Sequence, residues 1–297
     1  MPYGNITAAI ADMAPRAEAP PGARSQRLRQ RFLSAAILLP VALGAAWLGG
    51  LYWAALVFLF ALAMAWEWSA ICAAGGRDAA HPAAGIAPIS LVSMLFVGIA
   101  SLAAGFQGYI LAVLLLFLGA GASAILARRG QAGWHSLGVL YVGFPCIAII
   151  WIRAQHDQGL ATLFWLLALV MAVDTGAFAA GRLIGGPKLA PHVSPKKTWA
   201  GLVGGVVAAM LIGWTTSLWL DFSGQLAMIL ISGALALVEQ AGDLAESAFK
   251  RRFGVKDSSQ LIPGHGGVLD RVDGLLAVSL AVGLAEYLLG GILAWTR

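Results

Sequence analysis

Hydrophobic positions in this chain come in long unbroken blocks, not in the three-four spacing of a soluble amphipathic helix or the alternation of a half-buried strand. A block of about 20 apolar residues is the length needed to cross a bilayer as a helix. Nine such blocks are read, at roughly 32–49, 51–70, 86–105, 108–127, 134–152, 159–180, 200–220, 224–243 and 274–295. The pattern predicts an all-α, polytopic integral membrane protein with about nine transmembrane helices. Several connections are short, such as Gly49-Gly50, 105–108 and 220–224, and two are long and polar, 181–199 and 244–273. Ahead of the first block stands a basic stretch, 1–31, rich in Ala, Pro and Arg, which reads as a flexible tail. The first block is not read as a cleavable signal peptide, because it starts late and no small-residue cleavage site follows. The chain divides into that tail, N-terminal transmembrane helices over 32–158, and a C-terminal transmembrane region over 159–297.

Composition agrees with the pattern. Mean hydropathy is +0.82 and only 11% of residues are charged, against about 25% in soluble domains. The two cysteines, Cys72 and Cys146, lie inside apolar blocks and have neither disulfide-framework nor metal-ligand spacing. A net charge of +5 could suggest nucleic acid, but the basic residues are scattered between apolar blocks and form no continuous patch. Topology explains them better. With the N-terminus in the cytoplasm and nine crossings, seventeen Lys and Arg residues fall on the cytoplasmic side and only Arg153 and Arg297 on the other. That is a strong positive-inside bias. It predicts a protein of the inner cell membrane with both long polar connections facing the cytoplasm.

The acidic residues carry the candidate chemistry. Asp174 lies in or at the end of the sixth block, where a carboxylate is costly and by default functional. The alternative is an interfacial residue beside a helix break at Gly176. Glu67 and Glu286 are flanked by aromatics and read as interfacial, and Glu239 lies near the cytoplasmic end of block eight. If the stretch after it is helical, Asp243, Ser247 and Lys250 share one face, and Glu246 and Lys250 are an i, i+4 pair. Asp270 and Asp273 stand at i, i+3 before block nine. Alone they could be carboxylates at a helix N-terminus. Together with Asp243 they can converge on Mg²⁺, which takes a few carboxylates plus phosphate oxygens and water.

The loops supply matching parts. Lys250, Arg251, Arg252 and Lys256 are cationic phosphate partners. Gly264, Gly266 and Gly267 allow close backbone approach around His265, which is either a hydrogen-bonding strut or a ligand or acid/base group. No Walker A loop is present. The 181–199 connection is stiffened by Pro187, Pro191 and Pro195 and carries Lys188, Lys196, Lys197, Ser194 and Thr198. It reads as a phosphate clamp, with an anionic-headgroup anchor as the alternative. The residues thus point to a membrane protein that handles a polyphosphate with Mg²⁺ at one face.

The segment 247–273, SAFKRRFGVKDSSQLIPGHGGVLDRVD, resembles the signature of the phosphatidate cytidylyltransferases, the CDP-diacylglycerol synthases. Ser247, Lys250, Arg251, Lys256, Asp257, Pro263, His265, Gly266, Gly267, Asp270, Arg271 and Asp273 fall on its fixed positions with the right gaps. The segments VDTGAFAAGRLIG, KLAPHVSPKKTWAG and GDLAESAFKR are also similar to family segments. The resemblance is close over 165–275, and the N-terminal half resembles the family only as a set of apolar spans. It implies synthesis of CDP-diacylglycerol and pyrophosphate from CTP and phosphatidic acid, with Mg²⁺ held by Asp243 and Asp270 and supported by Asp273. It also implies a membrane homodimer and, in some members, a monovalent cation such as K⁺. Lys196, Lys197, Lys250 and Arg251 are expected to neutralise the triphosphate. Asp174, Lys188, Ser194, Thr198, Ser247, Lys256, His265, Gly266, Gly267 and Arg271 are expected to line the substrate site. Two other readings compete: a CTP-dependent polyprenol or phytol kinase, and an ion-coupled transporter with Asp174, Glu239 and Asp243 along its path.

Overall fold

A computed structural model describes residues 23–74, 87–128, 130–155, 158–262 and 266–289. Among them are nine helices: α1 Ala23–Leu48, α2 Gly50–Ala74, α3 Pro88–Gly105, α4 Tyr109–Leu126, α5 Ala132–Ala154, α6 Gly159–Leu183, α7 Trp199–Trp219, α8 Gln225–Arg252 and α9 Leu269–Leu289. Seven of these, α2 to α8, are long and apolar enough to cross a membrane, and α1 holds a shorter apolar stretch at Ala36–Leu48. Their outward faces stay apolar, with Ile110, Ile125 and Leu183 among the most exposed side chains. Helices that are apolar all round need lipid on the outside, so the chain is a multi-pass membrane protein.

Helices α2 to α5 pack in sequence, and α5 also touches α2 and α3. Helices α6, α7 and α8 form a second run of neighbours, and α9 lies between the two groups, against both α5 and α8. Buried Trp53, Met64, Ile71 and Leu116 fill the first group, and Leu166, Leu169, Met228 and Val278 the second. Small residues set the closest helix approach, as is usual in membranes. A Cβ on Gly176 would lie 2.7 Å from the Gly204 carbonyl, so α6 and α7 meet backbone to backbone there.

Four boundaries differ from the sequence pattern. Helix α1 starts at Ala23, inside the stretch read as tail, because Arg, Gln and Ser can continue a helix beyond the apolar block. Helix α6 runs without interruption through Gly176 to Leu183, so no break exists there. Helix α8 continues past 243 to Arg252. Its 28 residues span about 42 Å at 1.5 Å each, more than a hydrocarbon core of about 30 Å, so its last turns carry the polar sequence out of the apolar zone. Helix α9 begins at Leu269, which puts Asp270 in its first turn and Asp273 just beyond it.

The 181–199 connection is not an irregular loop. It forms an antiparallel two-stranded ribbon, β1 Lys188–Ala190 and β2 Ser194–Thr198, with Lys188 opposite Thr198 and Ala190 opposite Ser194. The all-α expectation therefore holds for the bundle but not for this connection. A ribbon of two edge strands tolerates Pro195, which a central strand would not.

Candidate active site

The polar ends of α8 and α9, the segment between them and the β1–β2 ribbon come together at one end of the bundle. Lys197 on β2 reaches Asp243 on α8, with Nζ 2.7 Å from Oδ2, and donates to Gln240 Oε1 at 3.0 Å. Ser247, one turn further along α8, donates to Asp243 Oδ1 at 3.3 Å. Arg251 donates from Nε to the Val193 carbonyl in the ribbon turn at 3.3 Å and from Nη1 to the Val255 carbonyl at 3.1 Å. That one guanidinium ties the two long connections together.

Lys250 sits between two carboxylates. Its Nζ is 2.6 Å from Glu246 Oε2 and 2.7 Å from Asp270 Oδ1. Glu246 is fully buried, and Lys250 is its compensation, since neither oxygen has another hydrogen-bond partner among the described residues. Asp270 is held more fully. It accepts from the Ser258 N–H at 2.9 Å and the Gly267 N–H at 3.0 Å, both on Oδ2, with a second, longer Ser258 contact on Oδ1. Asp273 accepts from the Gly274 N–H through Oδ1 at 2.8 Å. Asp174 and Glu239 complete the acidic zone. Asp174 interacts electrostatically with Asp243, Lys197 and Arg271, Glu239 with Asp174 and Asp243, and Asp273 with Asp243 and Asp174.

The remaining expected residues take varied positions. Lys188, Lys196, Lys256 and Arg271 are exposed around the site. Ser194 opens β2. Thr198 is buried and caps α7, accepting from the Gly201 N–H at 3.0 Å. Gly266 has φ +90°, a region side chains avoid, and exchanges both backbone bonds with Ile262. A Cβ on Gly267 would collide with Ser258 Oγ and lie 2.6 Å from Glu67 Oε1. His265 lies outside the described residues.

Three participants were not among the expected site residues. Glu67 on α2, expected at an interface, is fully buried against the 258–269 segment. Glu246 is the buried partner of Lys250, a pairing that i, i+4 spacing made visible without its burial. Gln240 joins Lys197 to Glu239, donating to Glu239 Oε2 at 2.8 Å. The usable signal for Glu67 was a lone carboxylate within an otherwise apolar block, which is a functional pointer wherever it occurs.

The donors suit a hard, oxygen-binding cation. Among the described residues no three His, Cys, Asp or Glu side chains form a ready-made metal cage. Mg²⁺ does not need one, because it is held by one or two carboxylates together with substrate phosphates and water. Asp243 is partly exposed and neighbours Asp273, so the two carboxylates fit that requirement. Asp270 already has its oxygen lone pairs filled by Lys250, Ser258 and Gly267, and could bind a cation only by sharing or releasing Lys250.

The chain matches the cytidylyltransferase family over residues 29–288. A phosphatidate cytidylyltransferase from Brucella suis biovar 1 is 35% identical over 267 residues, covering 90% of this chain and 94% of that protein. The one from Haemophilus influenzae is 46% identical over 132 residues, 41% of this chain and 45% of its own. The one from Staphylococcus saprophyticus is 40% identical over 149 residues, 50% of this chain and 56% of its own. The chain therefore belongs to the cytidylyltransferase family. It is a membrane-embedded nucleotidyltransferase.

Proposed function

We propose that the protein transfers the cytidylyl group of CTP to phosphatidic acid, giving CDP-diacylglycerol and pyrophosphate for phospholipid synthesis. The observation that carries this reading is the joining of Lys197 to Asp243 and of Lys250 to Asp270 at the polar end of an apolar bundle. One substrate is a membrane lipid and the other is dissolved in water, so the charged site belongs where the two phases meet.

A phosphate oxygen of phosphatidate attacks the α-phosphorus of CTP. The bond to the bridging oxygen of the β-phosphate breaks, and pyrophosphate leaves with that electron pair. The attacking phosphomonoester has a second pKa of about 6, so it is already anionic near neutral pH and needs no strong base. Catalysis then rests on alignment and charge neutralisation. Lys197 and Lys250 carry ammonium groups beside the acidic zone, where each can trade a carboxylate for a phosphate oxygen. Arg251 holds the ribbon against the signature segment through the Val193 and Val255 carbonyls. The exposed Lys188, Lys196, Lys256 and Arg271 draw the anionic substrates in. Asp243 and Asp273, with Asp270 once it shares Lys250, would hold Mg²⁺, which when bound neutralises the triphosphate and favours pyrophosphate as a leaving group. A second cation such as K⁺ would find its oxygen donors in the same zone, beside Asp174.

The finer architecture belongs to the same reading. Nine crossings, with the N-terminus and both long connections on the cytoplasmic side of the inner membrane, agree with the distribution of basic residues. The division into an N-terminal group over 32–158 and a catalytic region over 159–297 belongs to this reading, although the first buried cluster also takes in Leu163, Phe249 and Leu269 and the second takes in Ile152. A homodimer is expected from the family resemblance. Purified protein given CTP, Mg²⁺ and phosphatidate should release pyrophosphate in step with CDP-diacylglycerol. Release of CDP, with a phosphorylated polyprenol or phytol as the lipid product, would favour the kinase instead.

A further inference from the structure

Glu67 stands on α2, far in sequence from the signature segment, yet its carboxylate meets that segment with both oxygens. Oε1 accepts from the Val268 N–H at 2.9 Å and from the Ser259 hydroxyl. Oε2 accepts from the Leu269 N–H at 2.7 Å and from the Ser258 hydroxyl at 3.3 Å. The side chain is fully buried. A buried carboxylate is tolerated only when its lone pairs are met, and here all four positions are taken. Two of the donors are N–H groups at the start of α9, which have no partner within the helix. A residue of the N-terminal group thus caps the helix that carries Asp270, Arg271 and Asp273.

The same contacts lead directly to Asp270. Ser258 gives its hydroxyl to Glu67 and its N–H to Asp270. Gly267, whose N–H also binds Asp270, precedes the first N–H held by Glu67, and any side chain there would strike the Glu67 carboxylate. Beside Glu67, Trp68 stacks on Phe249 of α8 with ring centroids 3.7 Å apart. Both helix ends of the site are therefore braced by one turn of α2.

We propose that Glu67 is a positioning residue for the cytidylyl transfer: by gripping Ser258, Ser259, Val268 and Leu269 it fixes Asp270 and the first turn of α9 in the geometry the substrates require. This rests on the function proposed above. Glu67→Gln preserves shape but turns one oxygen into an –NH₂. Serine hydroxyls can rotate to accept from it, whereas a backbone N–H cannot, so one of Val268 and Leu269 faces donor to donor.

The test compares wild type, Glu67→Gln and Glu67→Ala as full-length protein in micelles. Kinetics are normalised to folded, monodisperse enzyme, and hydrogen–deuterium exchange is followed over 255–270. Loss of one charge-assisted bond should lower kcat, and raise the Mg²⁺ concentration for half-activation, by about tenfold or more in Glu67→Gln. Exchange at 268–269 should accelerate by a similar factor, about tenfold, while helices α3, α4 and α7 exchange as before. A residue that only stabilised the fold would reduce the yield of folded enzyme without moving the Mg²⁺ midpoint. Unchanged kinetic constants per folded Glu67→Gln molecule, or unchanged exchange at 268–269, would overturn the proposal. The exchange readout does not depend on activity. A wild type inactive with CTP and phosphatidate would therefore defeat the proposed reaction, while altered exchange in the variant would still show the grip on the segment.

Discussion

Replacing Lys250 by Met should be among the most damaging changes to stability in the molecule. The ammonium is the shared counter-charge of Glu246 and Asp270, and the three side chains are 11%, 0% and 5% exposed. Met keeps the volume and removes the charge. Asp270 retains its N–H bonds from Ser258 and Gly267, so it is only partly orphaned. Glu246 takes no hydrogen bond to fall back on among the described residues. Removing one partner of a buried ion pair costs about 3–5 kcal/mol, and Lys250→Met should fall in that range. Adding Glu246→Gln removes the stranded charge, and the double variant should recover about 2 kcal/mol, a coupling typical of side chains in direct contact. Unfolding in mixed micelles, followed by tryptophan fluorescence, measures both values, with Trp68 and Trp134 packed against Phe249 as local reporters. Arg252, exposed two residues further on, is the control, and Arg252→Met should change stability by less than about 0.5 kcal/mol. A Lys250→Met variant within about 1 kcal/mol of wild type, or a Glu246→Gln change that recovers nothing, would refute the shared-counter-charge picture.

Other outcomes follow from the same geometry. Asp243→Ala should lower turnover by at least about a hundredfold, as lost electrostatic contacts in shielded sites do, with little change in unfolding because the carboxylate is partly exposed. Retention of more than about a tenth of wild-type activity would remove it as an essential group. Lys197→Gln should cost at least about tenfold in kcat/KM in micelles, and the exposed Lys196→Gln less. Near-wild-type kinetics for both would leave the ribbon as a headgroup anchor. Thr198→Ala removes the α7 cap and should destabilise by about 1 kcal/mol; an unchanged unfolding transition would contradict that capping role. Single cysteines at 188 and 256 should react with an impermeant reagent only from the cytoplasmic side and one at 223 only from outside, and the reverse would invert the membrane orientation.

Much of the bundle was legible because the apolar block length is itself the membrane signal. Within α8 the period of 3.6 residues was enough to place Asp243 with Ser247 and Glu246 with Lys250, and both contacts exist. Helix ends were less legible. Ser247 to Arg252 reads as a polar connection on hydropathy, although Ala248, Lys250, Arg251 and Arg252 are good helix formers and α8 simply extends beyond the apolar zone. The ribbon at 188–198 was hidden because its prolines argue against strands, and only a two-stranded edge structure accommodates them. Thr198 looked like one more hydroxyl for phosphate, but its place at the start of α7 gives it a capping bond instead. Glu67 was legible only as a lone carboxylate in an apolar block, without its partners. Its partners lie about two hundred residues away, and no periodicity within α2 could reveal them. His265 lies outside the described residues and keeps only its sequence-based assignment.

The most direct measurement follows the fate of phosphorus. Purified enzyme, Mg²⁺ and phosphatidate are given CTP labelled at the α-phosphorus in one reaction and at the γ-phosphorus in a parallel one, with Asp243→Ala as control. Cytidylyl transfer predicts that the α-label enters the lipid fraction as CDP-diacylglycerol and the γ-label leaves as pyrophosphate, both abolished in the variant. Entry of the γ-label into lipid, with the α-label recovered as CDP, would contradict it.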